Sequence, residues 1–206
     1  TMTSLFRKAN MVVVLQDDRQ RIRLTEEGTV EHFRQFAQEH GIPCTVFSLA
    51  SQKRAGYLGS YVSDLDKLFY GRQEQPLKRQ SALELCCWDD LNDLDRRLHG
   101  LLSTGRHVKW YAPFCWEWTR DTKNRDIKIA QATGDFEKPW NPFPREEQYN
   151  WYAGEKEEYL DQVGCIYTAQ GLEFDDTGVI WWDDLRWDKD IHNWRIDLSS
   201  NCDTQF

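Results

Sequence analysis

Thr168, Gln170, Gly171 and Glu173 bring the most suggestive polar chemistry of the chain together, in the run TAQGLEFD at 168–175. Thr168 and Gln170 offer neutral donors, Glu173 offers an acceptor suited to sugar hydroxyls, and Gly171 lets the backbone come close to a phosphate or a ribose. The flanking runs VGCIY at 163–167 and TGVIWW at 177–182 are β-branched and aromatic, which predicts two buried strands around a polar turn. A polar loop at the end of a buried strand is where an α/β sheet carries its ligand site; the same pattern also fits the ordinary turn of any sheet protein.

Other residues carry chemistry of their own. The apolar run 11–15 ends in Gln16, Asp17, Asp18, Arg19 and Gln20, either the carboxyl-end loop of another strand or a solvated turn. Gln52 and Arg54 follow a strand expected at 44–49, and the planar fork of an arginine meets phosphate oxygens two at a time. Trp116 and Trp118, in APFCWEW at 112–118, could stack nucleic-acid bases or could fill a core or a lobe interface. Two D-x-K triplets, at 121–123 and 126–128, are what a metal-dependent nuclease with two carboxylates and a lysine would use. Such triplets arise by chance in a chain with 29% charged residues, and no Pro-Asp partner stands upstream. A protein-interaction domain using its tryptophan-rich surface is the third class.

TAQGLEFD between two apolar strands resembles motif V of superfamily I helicases. The longer wording VGCIYTAQGLEFDDTGVIW, followed by DDLRW, is similar to the Schlafen-group, helicase-like P-loop NTPases. The resemblance implies an α/β fold with a mostly parallel sheet flanked by helices, the second RecA-like lobe of a helicase-type NTPase. It implies that Glu173 reaches the nucleotide ribose and that Thr168 touches the nucleic-acid backbone. Asp17 and Gln20 keep the G-D-x-x-Q pattern of motif III, with Gln16 in place of the glycine, which would make Gln20 the sensor of the terminal phosphate. LASQKR at 49–54 resembles the L-x-x-Q-x-R element of motif IV, which gives Gln52 a nucleotide contact and Arg54 the terminal phosphates. DFEKPWN at 135–141 and the aromatic run at 112–118 also have counterparts in that family. Residues 1–50 would then trail from a first RecA-like lobe, and 51–206 would form the second.

Only the back half of that pattern is present. No G-x-x-x-x-G-K-[ST] loop occurs, no strand ends in the acidic pair that holds Mg²⁺, and the arginine-bearing motif VI is missing. ATP and Mg²⁺ are therefore expected only in a complete enzyme, with no resident metal here. The expected partners are a lobe or protein supplying a phosphate-binding loop and single-stranded nucleic acid. A part or regulator of an ATP-dependent nucleic-acid enzyme, in phage defence or counter-defence, is the implied setting. Met2 after Thr1 reads as a plausible start, which favours a short free-standing module over a fragment.

The elements that must position these residues follow from periodicity. A helix is expected over 29–40, closed by Gly41 and Pro43, and another over 57–70. Leu91, Leu94, Leu98, Leu101 and Leu102 mark the inner face of a helix over 89–102, capped by Asp89 or Asp90. Strands are expected over 82–87 and 107–111, and an irregular loop over 138–152.

Ten tryptophans and 40% apolar residues support a folded chain, and 206 residues are enough to bury a core. The net charge of −8, with scattered cations, argues against strong autonomous nucleic-acid binding. Six cysteines without a C-x-x-C pair read as reduced core residues. Without a signal peptide or a membrane-length apolar run, the chain is expected to be cytosolic.

Overall fold

A computed structural model of the chain describes residues 2–20, 28–49, 59–70, 84–121, 126–141, 149–152 and 157–204. It divides into two compact units, Thr1–Leu49 with Gln205–Phe206, and Ala50–Thr204.

The first unit holds α1 (Met2–Phe6) and α2 (Val30–Glu39), with a 3₁₀ turn at Asp18–Gln20. Thr29 caps α2, its hydroxyl accepting from the His32 amide at 3.1 Å, and Phe36 packs on Phe6 at 5.3 Å. At the far end the Ile42 amide donates to Ala37 and the Gly41 amide to Gln38, the paired bonds of a Schellman closure. The strands expected at 11–15 and 44–49 join no sheet among the described residues, and Met11, Leu15, Phe47 and Leu49 are exposed. β-branched residues favour a strand only when a neighbouring ladder receives them, and the described residues offer none beside these.

The second unit is α/β. Its centre is a parallel sheet in the order β4-β1-β5, formed by β1 (Val108–Tyr111), β4 (Val163–Gly164) and β5 (Asp176–Val179). Two antiparallel ribbons accompany it, β2–β3 (Asp126–Ile129 and Phe136–Pro139) and β6–β7 (Leu185–Asp188 and Asn193–Ile196). Helices α3 (Gly59–Tyr70) and α4 (Leu91–Leu102) precede the sheet. Asp90 is the α4 cap, accepting from the Asn92 and Asp93 amides at 2.8 and 3.0 Å, and all five inner leucines of α4 face the core.

β1 is covered on both faces, as a central parallel strand must be. Trp110 lies against Phe136 on one side, its Nε1–H donating to Asp95 of α4 at 2.8 Å. Asp95 also receives Lys138 of β3 at 3.0 Å, and Lys138 reaches Asp161 at 3.3 Å. On the other side Tyr111 meets the edge of Trp151 and the ring of Phe174, and the Lys109 ammonium stands 5.0 Å from the Trp151 ring and 5.4 Å from Tyr159.

Several sequence expectations change. The 163–167 strand stops at Gly164, because Cys165 caps a short helix, α5 (Ile166–Ala169), and the 177–182 strand ends at Val179. Residues 84–87, within the strand expected at 82–87, are exposed and join no sheet among the described residues. The loop expected over 138–152 opens instead with the end of β3, where Phe136, Lys138 and Trp140 alternate inward and Trp140 bridges to Val163. Its residues 149–152 are helical. Of the cysteines only Cys165 is buried; Cys44, Cys86 and Cys87 are exposed, and all six are free thiols.

Two predictions follow from this packing. A Cβ on Gly178 would come within 2.7 Å of both Leu98 and Trp110, and Trp110 is held by its hydrogen bond to Asp95. Gly178→Ala should destabilise the second unit by about 1–3 kcal/mol, measured by urea unfolding. Lys109 is 3% exposed, and burial lowers its pKa from 10.5 to about 8. Between those two values the unfolded chain binds the extra proton, so stability should rise with pH across that window. Lys109→Met should remove this rise while leaving the remaining pH profile unchanged.

Candidate nucleic-acid and nucleotide sites

The three parallel strands end together. The Ala112 amide donates to Gly164 at 3.0 Å and the Ile180 amide to Tyr111 at 2.9 Å, so the segments after β1, β4 and β5 leave from one carboxyl edge. That edge is where open α/β sheets hold ligands.

The segment after β4 is α5. The Cys165 amide donates to the Thr168 hydroxyl at 2.8 Å, and that hydroxyl donates back to the Cys165 carbonyl at 3.0 Å. Thr168 is 4% exposed, so its hydroxyl clamps the turn from inside. Gln170 and Gly171 are exposed at the end of α5, and Gly171 has φ +81°, the left-handed region that a glycine enters without steric penalty. The chain then crosses back to the amino edge. The Asp175 amide donates to the His107 carbonyl at 3.0 Å, and its carboxylate accepts from the His107 amide at 2.9 Å. Glu173 is exposed on this return path, away from the α5 turn in sequence but on the same connection.

The segment after β1 is an aromatic row. Phe114 meets Tyr167 of α5 at 5.9 Å and Trp140 at 5.3 Å, and Trp116 stands 6.3 Å from Trp140 and 5.0 Å from Trp182. Trp118 donates its Nε1–H to the Asn141 carbonyl at 3.0 Å. Trp116 and Trp118 are both half-buried, so each packs one part of its ring and leaves another toward solvent. The segment after β1 thus carries Trp116 and Trp118, the segment after β4 carries Thr168, Gln170 and Gly171, and the two meet where Phe114 packs on Tyr167.

Sequence reasoning did not single out Tyr167, Trp182 or Asp184 for this edge. Tyr167 and Trp182 read as strand residues, whereas β4 and β5 end before them and both pack half-buried against the core at this edge. Asn141, at φ +53°, has a buried side-chain carbonyl without a hydrogen-bond partner, and Trp140 has an indole N–H in the same condition. Burial also shifts the chemistry of the edge: the Cys115 thiol is pushed up to about 12, by desolvation first and by Asp184 beside it second. Cys115 is thus a neutral thiol rather than a nucleophile.

In the first unit, Asp17 and Gln20 do meet. Gln20 donates its side-chain N–H to Asp17 at 2.6 Å, and the neighbouring Asp18 carboxylate accepts from the first amide of α2, Val30, at 3.1 Å. The turn is thereby tied to a helix N-terminus. Gln52 and Arg54 lie outside the described residues.

The nucleotide contacts implied by the resemblance do not make a phosphate site by themselves. The Gln20 amide is engaged by Asp17, Glu173 offers only an acceptor, and the sequence contains no phosphate-cradling loop or its lysine. No phosphoryl-transfer step can be assigned to these residues alone. Of the nuclease triplets, residues 122–123 of the first lie outside the described residues, and the second forms no metal site among the described ones. Lys128 is paired with Glu137 across the β2–β3 ribbon at 2.8 Å and is exposed, and no group of three His, Cys, Asp or Glu suited to a metal occurs among the described residues. No helix of the described residues is long and apolar enough to cross a membrane.

Comparison with known proteins agrees with the wording of the 163–182 segment. No curated protein and no solved structure matches the chain. The family described as Schlafen group 3, DNA/RNA helicase domain, matches residues 1–206 in full. The chain belongs to this Schlafen group 3 helicase-domain family.

Proposed function

We propose that the second unit is the nucleic-acid-facing, RecA-like lobe of a helicase-like NTPase, and that the chain hydrolyses ATP only with a lobe that supplies the phosphate-binding loop. The observation that supports this reading is the shared carboxyl edge, from which the motif V turn at 168–171 and the segment bearing the half-buried Trp116 and Trp118 both leave, the two segments meeting through Phe114 and Tyr167. Neutral donors and indole faces suit single-stranded nucleic acid, whose bases stack on aromatic rings whatever their sequence. Thr168 acts in this reading by shaping the turn, and its exposed neighbours Gln170 and Gly171 make the contacts.

The nucleotide side rests on motif resemblance. Arg54 would approach the terminal phosphates, Gln52 and Asp17 would contact the nucleotide, Gln20 would couple the phosphate to bound nucleic acid, and Glu173 would contact ribose. When bound in the complete enzyme, Mg²⁺-ATP supplies the phosphoryl group; this chain supplies orientation and one charge.

Two measurements test the proposal. Phosphate release by the isolated chain should stay at background, with or without single-stranded nucleic acid, because positioning and charge neutralisation of the phosphates are missing. In a complex with a partner carrying a phosphate-binding loop, Arg54→Ala should lower turnover by about 10³-fold or more with little change in nucleotide affinity. Glu173→Ala should instead weaken affinity with little change in turnover, since a ribose contact is made equally in ground and transition states. Robust hydrolysis by the isolated chain, or no effect of either substitution in the complex, would remove the helicase-lobe reading.

A further inference from the structure

β5 has an unguarded outer side. The Asp176 and Ile180 amides donate towards β1, to the His107 carbonyl at 3.2 Å and the Tyr111 carbonyl at 2.9 Å. In a parallel ladder alternate residues turn to opposite neighbours, so Thr177 and Val179 direct their backbone groups to the other side, where no strand pairs with β5 among the described residues. Sheet edges are ordinarily blunted by lysine, proline or a covering element, and Asp176–Val179 contains neither lysine nor proline. Thr177 is exposed, Val179 is 58% exposed and Trp181 54%. Trp181 is nevertheless held in place, 5.5 Å from Trp194 and 6.2 Å from Phe69, with its Nε1–H donating to the Leu185 carbonyl at 2.7 Å. A fixed apolar ring thus stands beside an unpaired stretch of backbone.

The same chain carries a strand-forming run that no sheet receives among the described residues. In MVVVL at 11–15, Met11 is 80% exposed, Val13 75% and Leu15 85%. Apolar at every position, such a run is built for burial on both faces within a sheet. Charge fits it to the open edge of β5. Arg7 and Lys8 stand exposed ahead of the run, while Glu173 and Asp175 precede β5 and Asp183 and Asp184 follow it, so either direction of pairing brings the cations to carboxylates. Asp17 and Asp18, beyond the run, are engaged by Gln20 and by the first amide of α2. The run at 44–49 follows Pro43 and has no such cations ahead of it. We propose that β5 is completed by residues 11–15 of a second copy of this chain, each molecule giving its run to the other's edge in a two-fold dimer.

The test uses the full chain, with a thiol reductant present because Cys44, Cys86 and Cys87 are exposed. Light scattering across a concentration series should give a mass rising from the 24.5 kDa of one chain to twice that value. Val13→Lys puts a charge into the donated run, and Val179→Pro removes an outward amide while leaving the bonds to β1 in place. Each should abolish the dimer. Phe47→Lys and Ile196→Lys, at exposed apolar residues elsewhere, should leave it intact. Amide hydrogen exchange gives the second readout: at high concentration Thr177 and Val179 should exchange about tenfold more slowly in the parent than in Val13→Lys, although that substitution lies in the other unit. Should circular dichroism show that Val179→Pro does not fold, Val13→Lys and the exchange at Thr177 decide alone. A parent chain that stays at 24.5 kDa at every concentration overturns the proposal. So does a dimer that survives Val13→Lys, one that Phe47→Lys or Ile196→Lys dissolves, or equal exchange at Thr177 in parent and variant.

Discussion

The indole N–H of Trp110 has to find a partner inside the core, and the rest of the second unit is arranged around the one that it finds. Trp110 is fully buried on the central strand, where an unpaired donor would cost about 1–3 kcal/mol. Its partner is Asp95, which brings a charge into the same region, and that charge is met by the ammonium of Lys138, whose side chain is 8% exposed. Asp161 and His99 close the group, with His99 3.5 Å from Asp161 and 3.6 Å from Asp95. A buried pair of this kind contributes little net stability, because desolvation offsets most of the attraction. Its effect is on geometry: α4, β1, β3 and the approach to β4 can meet only where these atoms meet.

That constraint also sets the carboxyl edge. With α4 and the β2–β3 ribbon fixed on one side of β1, the sheet can grow only through close approaches at Gly164 and Gly178, where any side chain would overlap Trp151 or Trp110. β4 can therefore be two residues long and still be pinned, and the Thr168 clamp turns the chain into α5 immediately after it. The carboxyl edge is thus defined by an interior hydrogen bond several residues away from the side chains that the edge presents.

Helices α2 and α4 and strand β1 were legible in the sequence because their signals are local. Thr29 and Asp90 cap with their own side chains, and the leucines of α4 recur at helical spacing. Strand propensity at 11–15 and 44–49 was equally plain and did not suffice, since a strand exists only through a neighbour that sequence does not name. The 163–167 run misled for a different reason. Its Val, Ile and Tyr favour a strand, but the reciprocal bonds between Cys165 and Thr168 satisfy the backbone locally and end the strand after Gly164. At the edge, the residue types of the site were readable, whereas the company they keep was not: Trp116 meets Trp182 only through the register of β1 on β5.

Charge explains why an aromatic face suits this chain. Several of its cations are paired with carboxylates, Lys138 with Asp95 in the interior and Arg106 with Asp176, Lys128 with Glu137, Arg186 with Asp183 and Arg195 with Asp188 at the surface. Arg186 and Arg195 even stand opposite each other across β6–β7, an arrangement that those two aspartates make tolerable. With a net charge of −8, counterion release supplies less binding energy than it would on a basic surface. Affinity for a single strand then has to come from stacking and from neutral donors, and these are the groups that the carboxyl edge presents. In the proposed reading, such a surface would favour an unpaired base over a phosphate backbone, which suits a lobe that a single strand passes over.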